Sequence, residues 1–236
     1  MLVMLSIIIP TYNEIKHGYL TKIIPDLINL PDTEIICVDS GSNDGTREYI
    51  TSMNIAIYDS KSMTRANRMN IGIANATGST VLLYHPRILI DINGIKDIIK
   101  NPPATWGGFF HKFTSPQKLL KFISWYSNKV RLLKKSIVYL DHGIYINKKL
   151  ADKVFPIPDE PIFEDTILSR RLASHKKPTL NKHIAWVSPV RFEKNGPLKQ
   201  FLSNQVLKGL FALGVSPTKL NNWYERDLHL NGKSNP

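Results

Sequence analysis

Four short apolar runs, each closed by a polar turn and spaced by helical patterns, constrain this chain more than any other feature. Leu5 to Ile9 is β-branched and ends at Pro10. Tyr19 to Leu30 is helical in pattern despite Pro25. Glu34 to Val38 is a second buried strand, ended by the turn-rich Asp39 to Gly45. Thr46 to Met53 reads as a short helix and Ile55 to Tyr58 as a third strand. Thr64 to Ala76 sets Ala66, Met69, Ile73 and Ala76 on one helical face; Gly78 breaks it, and Thr80 to Tyr84 is a fourth strand. Strands alternating with helices in this order predict an α/β fold with a mostly parallel, helix-covered sheet. In such sheets ligands bind beyond the carboxyl ends of the strands. The polar loops after Ile9, Val38 and Tyr84 are therefore expected to share one crevice.

The second half is less regular. Pro116 to Leu133 is helical and amphipathic, and Val138 to Ile146 holds the polar island Asp141-His142-Gly143 between apolar flanks. Pro156 to Pro161 is a loop rich in proline and acid, and Asp165 to Ser174 reads as a helix. Leu198, Phe201, Leu202, Val206, Leu210 and Leu213 recur at helical spacing. The basic-then-amphipathic stretch from Lys194 to Leu213 suits either a core helix covering the sheet, the favoured reading, or a helix resting on an anionic membrane. At 236 residues the chain fits one domain, expected over 1–226, with a flexible polar tail over 227–236.

Lysine and arginine number 31 against 19 acids, a net charge of +12. That balance suggests an anionic partner: a phosphorylated substrate, an anionic membrane or nucleic acid. Nucleic acid fits poorly, because the basic residues are not interleaved with stacking aromatics. The only cysteine, Cys37, sits in the apolar run EIICVD and is expected to be a buried strand thiol; with no partner for a disulfide in the chain it fits a reducing compartment. The apolar start lacks the basic flank and cleavage site of a signal peptide, and no stretch approaches the ~20 apolar residues of a spanning helix. A cytoplasmic protein is expected, with a seat on the inner face of the membrane as its membrane option.

SIIIPTYNE, VDSGSNDGT and TRANRMNIGIANATGSTVLLYH, in that order, resemble the N-terminal half of family 2 glycosyltransferases, which have the GT-A fold. The later segments DHGIYINKKL, FEDTILSRRL and VSPVRFEKNGPLKQFLSNQVLKGLFALGVSP are similar to one bacterial branch, the small transferases found beside radical-SAM and selenium-related genes. The resemblance runs from about Leu5 to Tyr224. It implies a nucleotide-binding half over 1–100, an acceptor and catalytic half over 101–226, and inverting transfer of a sugar from a UDP-sugar to a hydroxyl acceptor. DSGSNDG is not GxGxxG, so a dinucleotide dehydrogenase has little support.

Site roles follow from this resemblance. A nucleobase needs an acceptor for its ring N–H, and Asp39, at a strand end, is the candidate for uracil N3–H; its alternative is a turn carboxylate capping backbone N–H groups. Pro10, Thr11, Asn13 and Glu14 are expected around base and ribose. Arg65 and Asn70 are expected on the helix that abuts the nucleotide. Glu164-Asp165 supplies the expected base: Asp165 takes the acceptor's proton and Glu164 assists, while acidic residues also suit a helix N-terminus. Asp141, His142 and Arg170 are expected at the acceptor or donor-sugar pocket, although a buried, satisfied histidine fits His142 equally well.

One departure from the family stands out. After the fourth strand the family carries an Asp-x-Asp-like element whose last aspartate holds Mg²⁺ or Mn²⁺ against the donor diphosphate. Here the sequence reads YHPRILID, with His85 and Arg87 facing the expected diphosphate. Three readings stay open: Arg87 pairs with the diphosphate in the metal's place; the chain is a weak or inactive binder of nucleotide-sugars; or Asp91 takes the metal from the next turn.

Overall fold

Each of the four N-terminal runs forms a strand: β1 (Leu5–Thr11), β2 (Thr33–Asp39), β3 (Ala56–Asp59) and β4 (Thr80–Leu83). Between them lie α1 (Leu20–Leu27), α2 (Thr46–Ser52) and α3 (Arg65–Asn75). The computed structural model describes residues 4–228. Its second half adds β5 (Ile88–Ile90), α4 (Ile92–Lys100), β6 (Trp106–Phe113), α5 (Lys118–Tyr126), β7 (Ile144–Asn147), α6 (Lys148–Val154), α7 (Glu164–Ala173), β8 (Thr179–Val187), α8 (Val190–Asn195), α9 (Pro197–Ala212) and α10 (Pro217–Leu228).

These strands make one sheet in the order β3-β2-β1-β4-β7-β6-β8-β5. β1 pairs in parallel with both β2 and β4, and β2 with β3. β7 then runs antiparallel to β4 and β6, β8 parallel to β6, and β5 antiparallel to β8. The sheet is thus mixed, with the parallel half where the alternating pattern placed it. The carboxyl ends of β1, β2, β4, β6 and β8 share one edge with the start of β7 and the start of β5.

Burial follows the period-2 alternation of a strand covered on both faces. Ile7 and Ile9 belong to one core cluster with Leu20 and Ile24 of α1 and Ile95 of α4. Ile8 belongs to a second, with Met69 and Ile73 of α3 and Leu168 of α7. All of β1 is buried. Cys37 is a buried free thiol on β2, and burial pushes its pKa up.

β6 opens Trp106-Gly107-Gly108, a glycine pair that hides a strand from pattern reading. A Cβ on Gly107 would lie 2.0 Å from the Thr179 carbonyl oxygen of the neighbouring strand. Backbone cannot yield as a side chain can. Gly107→Ala is therefore expected to cost ~3 kcal/mol, the upper end of overpacking, read as a lower urea midpoint with little change in slope.

Three expectations meet a different structure. The helix expected through Leu133 leaves α geometry after Tyr126, and Ser127–Leu132 winds as a π-helical turn. The favoured core role for the Lys194 to Leu213 stretch holds for one face only: Phe201 packs against the main core and Leu207 closes a small cluster with Phe163, Leu220 and Tyr224, while Leu198, Leu202 and Val206 are exposed. Helical spacing of apolar residues gives a face, not what covers it. Residues 227 and 228, expected to start the tail, close α10; the rest of that expected tail lies outside the described residues.

Candidate active site

The crevice predicted at the strand ends is built by two loops that hold each other. After β1, Asn13 (φ 52) turns the chain through the left-handed region. Its backbone N–H donates to Ser42 Oγ at 2.8 Å, and its side-chain oxygen accepts from the Asn43 N–H at 2.9 Å. Thr46, at the start of α2, accepts from the Glu14 and Ile15 N–H groups at 2.8 and 3.1 Å. Asp44 in turn accepts from the Thr46 hydroxyl at 2.5 Å. Asparagine, serine and aspartate suit this because their short side chains substitute for backbone partners in turns.

Asp39 is fully buried at the centre of the two loops. Its Oδ1 accepts from the Gly41 and Ser42 N–H groups at 2.9 and 2.7 Å. Its Oδ2 accepts from the Thr11 and Ser42 hydroxyls at 2.9 and 2.5 Å, and Arg47 lies 3.3 Å from Oδ1. The turn-capping alternative therefore describes its geometry in this structure. Thr11 Oγ1 also lies 3.3 Å from the Val38 carbonyl, so its hydroxyl has a second acceptor to turn to. Pro10 is buried inside β1.

Arginines ring this centre. Arg87, in the loop after β4, forks onto Glu14, with Nε and Nη2 at 2.9 and 3.2 Å from its two oxygens. Glu14 is only 6% exposed, so the pair is largely desolvated. His85 Nδ1 accepts the Arg87 backbone N–H at 3.0 Å, and burial lowers the ring's pKa to about 3, opposed by Asp141 and assisted by the cations Arg65 and Arg87. It is a neutral imidazole. Arg65, the first residue of α3, pairs with Glu164 of α7. Burial opposes the Arg65 charge, but the carboxylates of Glu164, Asp165 and Asp141 hold its pKa above the ordinary value.

Arg68, one turn further along α3, was not singled out in the sequence. It is 8% exposed, and its Nη1 donates to Ser40 Oγ at 2.9 Å and the Thr11 carbonyl at 3.3 Å. Its Nε has no partner among the described residues. Burial, then repulsion from Arg65, lowers its pKa to about 10. On sequence it is one more basic residue of an amphipathic helix; its neighbours Ala66 and Met69 being core-facing was the one available signal.

Glu164 and Asp165 open α7 from Phe163, whose φ of 66 is rare for an aromatic residue. Such local strain concentrates at functional sites. Asp165 Oδ2 accepts the Leu140 N–H at 3.3 Å. Burial and the adjacent Glu164 charge raise the Asp165 carboxyl to about 7. That value suits a group taking a proton near neutral pH. Asp141 stands close enough to act on His85, Arg65 and Asp165 alike.

Three expected site residues are placed elsewhere. The Asn70 amide is used on both ends by the Ile157 backbone, at 2.8 and 2.9 Å, and braces the loop before α7. His142 is fully buried, bonded to the Phe109 carbonyl at 2.9 Å and Ser127 Oγ at 3.0 Å, with burial lowering its pKa to about 3; it is a core histidine, not a pocket lining. Asp91 caps α4 through the Asn93 N–H and meets His183 at 3.1 Å. It sits at the far end of β5 from Arg87, because β5 runs antiparallel to β8 and carries the chain away from the crevice.

The residues after β4 do not fit a divalent metal. Hard cations need carboxylate oxygens. Here the position carries a guanidinium, and the nearest acid of the first loop, Glu14, is engaged by it. No cluster of three or more His, Cys, Asp or Glu side chains occurs among the described residues.

Residues 6–85 match the family described as Glycosyl transferase family 2. The structure is similar to that of S. aureus TarS 1-349 in complex with UDP-GlcNAc, at 18% identity and a TM-score of 0.61, over 78% of this chain and 58% of that one. The chain therefore spans less than two thirds of that structure's length. It is also similar to the mannosyltransferase PcManGT from Pyrobaculum calidifontis in complex with GDP-Man and Mn²⁺, at 16% identity and a TM-score of 0.59, over 96% and 70% of the two chains. A third likeness is to glucosyl-3-phosphoglycerate synthase from Mycobacterium tuberculosis in complex with Mn²⁺, UDP and glucosyl-3-phosphoglycerate, at 15% identity and a TM-score of 0.53, over 78% and 69%. The family match covers the loops after β1 and β2 and stops at His85, two residues short of Arg87, and the mixed, helix-covered sheet is the GT-A fold of glycosyltransferases.

Proposed function

We propose that this chain is a family 2 glycosyltransferase that moves a sugar from a UDP-sugar to a hydroxyl acceptor with inversion, using Arg87 where relatives use a metal. The observation that carries it is the meeting, at one sheet edge, of the family-matched loops with a carboxyl raised to about 7 at Asp165. In this reading uracil N3–H donates to Asp39 Oδ2 as the Thr11 hydroxyl turns to the Val38 carbonyl. The acceptor oxygen bonds to the anomeric carbon while the bond from that carbon to the diphosphate breaks. The acceptor's proton passes to Asp165, and the departing diphosphate charge is met by Arg87 and by Arg68 with its unpartnered Nε. Glu164 fixes Arg65 beside the base.

Base choice tests the Asp39 pocket without mutation. Cytosine offers a lone pair where uracil offers N3–H, so UDP is expected to bind at least ~10-fold tighter than CDP in a calorimetric titration. Equal affinities would remove Asp39 as the base reader.

A second reading has its own observation. Arg87 is already neutralised by Glu14, as suits a fold that holds nucleotide-sugars without transferring them. UDP bound, but no sugar released across a panel of UDP-sugars and hydroxyl acceptors, would favour this reading; no UDP binding would sink both.

An anionic membrane surface belongs to the first reading as the acceptor's setting. No described helix is long and apolar enough to cross a membrane. Support for surface contact comes from exposed Leu198, Leu202 and Val206 beside Lys199 on α9, and from the exposed, stacked Phe122 and Trp125 beside Lys121 on α5.

A further inference from the structure

A cavity of about 220 Å³ lies between the π-helical turn, α7 and α9. Four cations line it, Arg131, Lys135, Arg170 and Lys208, and no carboxylate does. None of the four forms an ion pair among the described residues. Four like charges around one small space are costly unless an anion joins them.

The cavity is built rather than incidental. Arg131 is 9% exposed, and its Nη1 donates to Ser127 Oγ at 3.0 Å. Ser127 then donates to His142 Nε2, and His142 donates from Nδ1 to the Phe109 carbonyl. The buried histidine thus positions Arg131. The guanidinium also lies 4.5 Å from the Tyr139 ring centroid, over which Lys208 stands at 5.3 Å. Arg170 lies 5.3 Å from the Phe211 centroid. Burial, then Arg131, lowers the Lys208 ammonium to about 7, with Asp165 opposing from beyond ion-pair distance.

The cavity adjoins the candidate base. Thr166, the neighbour of Asp165, lines it, as does Tyr139, next to the Leu140 N–H that binds Asp165. It is smaller than the ~300–1,000 Å³ of a whole-ligand site and suits one group at the end of a larger molecule. The cations arrive from three elements, which suits a tetrahedral polyanion better than a planar carboxylate.

We propose that this cavity binds a phosphate group of the acceptor, so that the substrate is a phosphorylated alcohol whose free hydroxyl reaches Asp165. The assignment to the acceptor rests on the transferase reading above; the phosphate site itself does not.

Calorimetric titration of the full chain with inorganic phosphate and glycerol phosphate tests it, alongside UDP. Both phosphate probes are expected to bind saturably. Lys208→Gln and the exposed Arg170→Gln should each weaken them at least ~10-fold and leave UDP affinity within twofold. A second arm uses phosphatidylcholine vesicles with and without phosphatidic acid. Tighter binding to phosphatidic acid than to glycerol phosphate, lost in both variants, places the phosphate on a lipid; the reverse order places it on a soluble ester. No binding of any phosphate probe, or binding that both folded variants keep, overturns the site. Loss of UDP binding by the unmodified chain, with phosphate binding intact, overturns only the transferase reading.

Discussion

Asp165→Asn is expected to abolish sugar transfer and at the same time make the fold more heat-stable. Loss of a general base removes ~10²–10⁴-fold in rate. UDP affinity should stay nearly unchanged, because Asp165 lies beside Tyr139 and Leu140, the side that the proposed transfer gives to the acceptor. The unmodified chain's rate should rise with pH and reach half its plateau near 7, where the carboxyl, raised by burial and Glu164, loses its proton. Stability moves the other way. Between 3.8 and about 7 the folded chain keeps a proton that the unfolded chain has released, so stability falls as pH rises through that window. Asparagine carries no such penalty. Its melting temperature should exceed that of the unmodified chain by a few degrees at pH 8, with the gap closing towards pH 4; ~1 kcal/mol corresponds to roughly 2–4 °C at this size. Retained turnover would remove Asp165 from the role of base, and a pH-independent gap would remove the raised carboxyl.

Arg87→Ala should separate diphosphate recognition from base recognition. A charge-assisted fork is worth roughly 1.5–3 kcal/mol, or about 10–100-fold. UDP binding should weaken by that factor, while uridine binding stays unchanged. The substitution also strands Glu14, a 6% exposed carboxylate, and breaking such a pair costs ~3–5 kcal/mol of stability. The double variant Glu14→Gln, Arg87→Ala removes that stranded charge. It should recover most of the stability without recovering UDP affinity. Equal losses for UDP and uridine, repaired by the double variant, would make the pair merely structural.

The parallel half of the fold was legible because β1, β2 and β4 are apolar runs with turn residues at their ends, and position relative to the strand ends predicted which loops meet. The second half was not. Gly107 and Gly108 break the pattern of β6, and β8 reads TLNKHIAWV, with polar residues where its bulge and exposed face fall. Within the site, the strand pattern predicted that the loops after β1, β2 and β4 would share one crevice but could not show that Glu14 and Arg87, 73 residues apart, fork onto each other. Arg68 was hidden for the same reason: a helical arginine gives no sign of which neighbours enclose it. Asp91 was misplaced because distance along the chain cannot reveal that β5 runs away from the crevice. His142 shows the converse, a polar island between strands that turned inward to hold Arg131 through Ser127.

The account rests on nucleotide binding without a divalent metal. Its most direct test is calorimetric titration of the purified chain with UDP in EDTA, in Mg²⁺ and in Mn²⁺. The account predicts saturable binding with the same affinity, within about twofold, in all three. Binding only with metal, or none in any buffer, would contradict it.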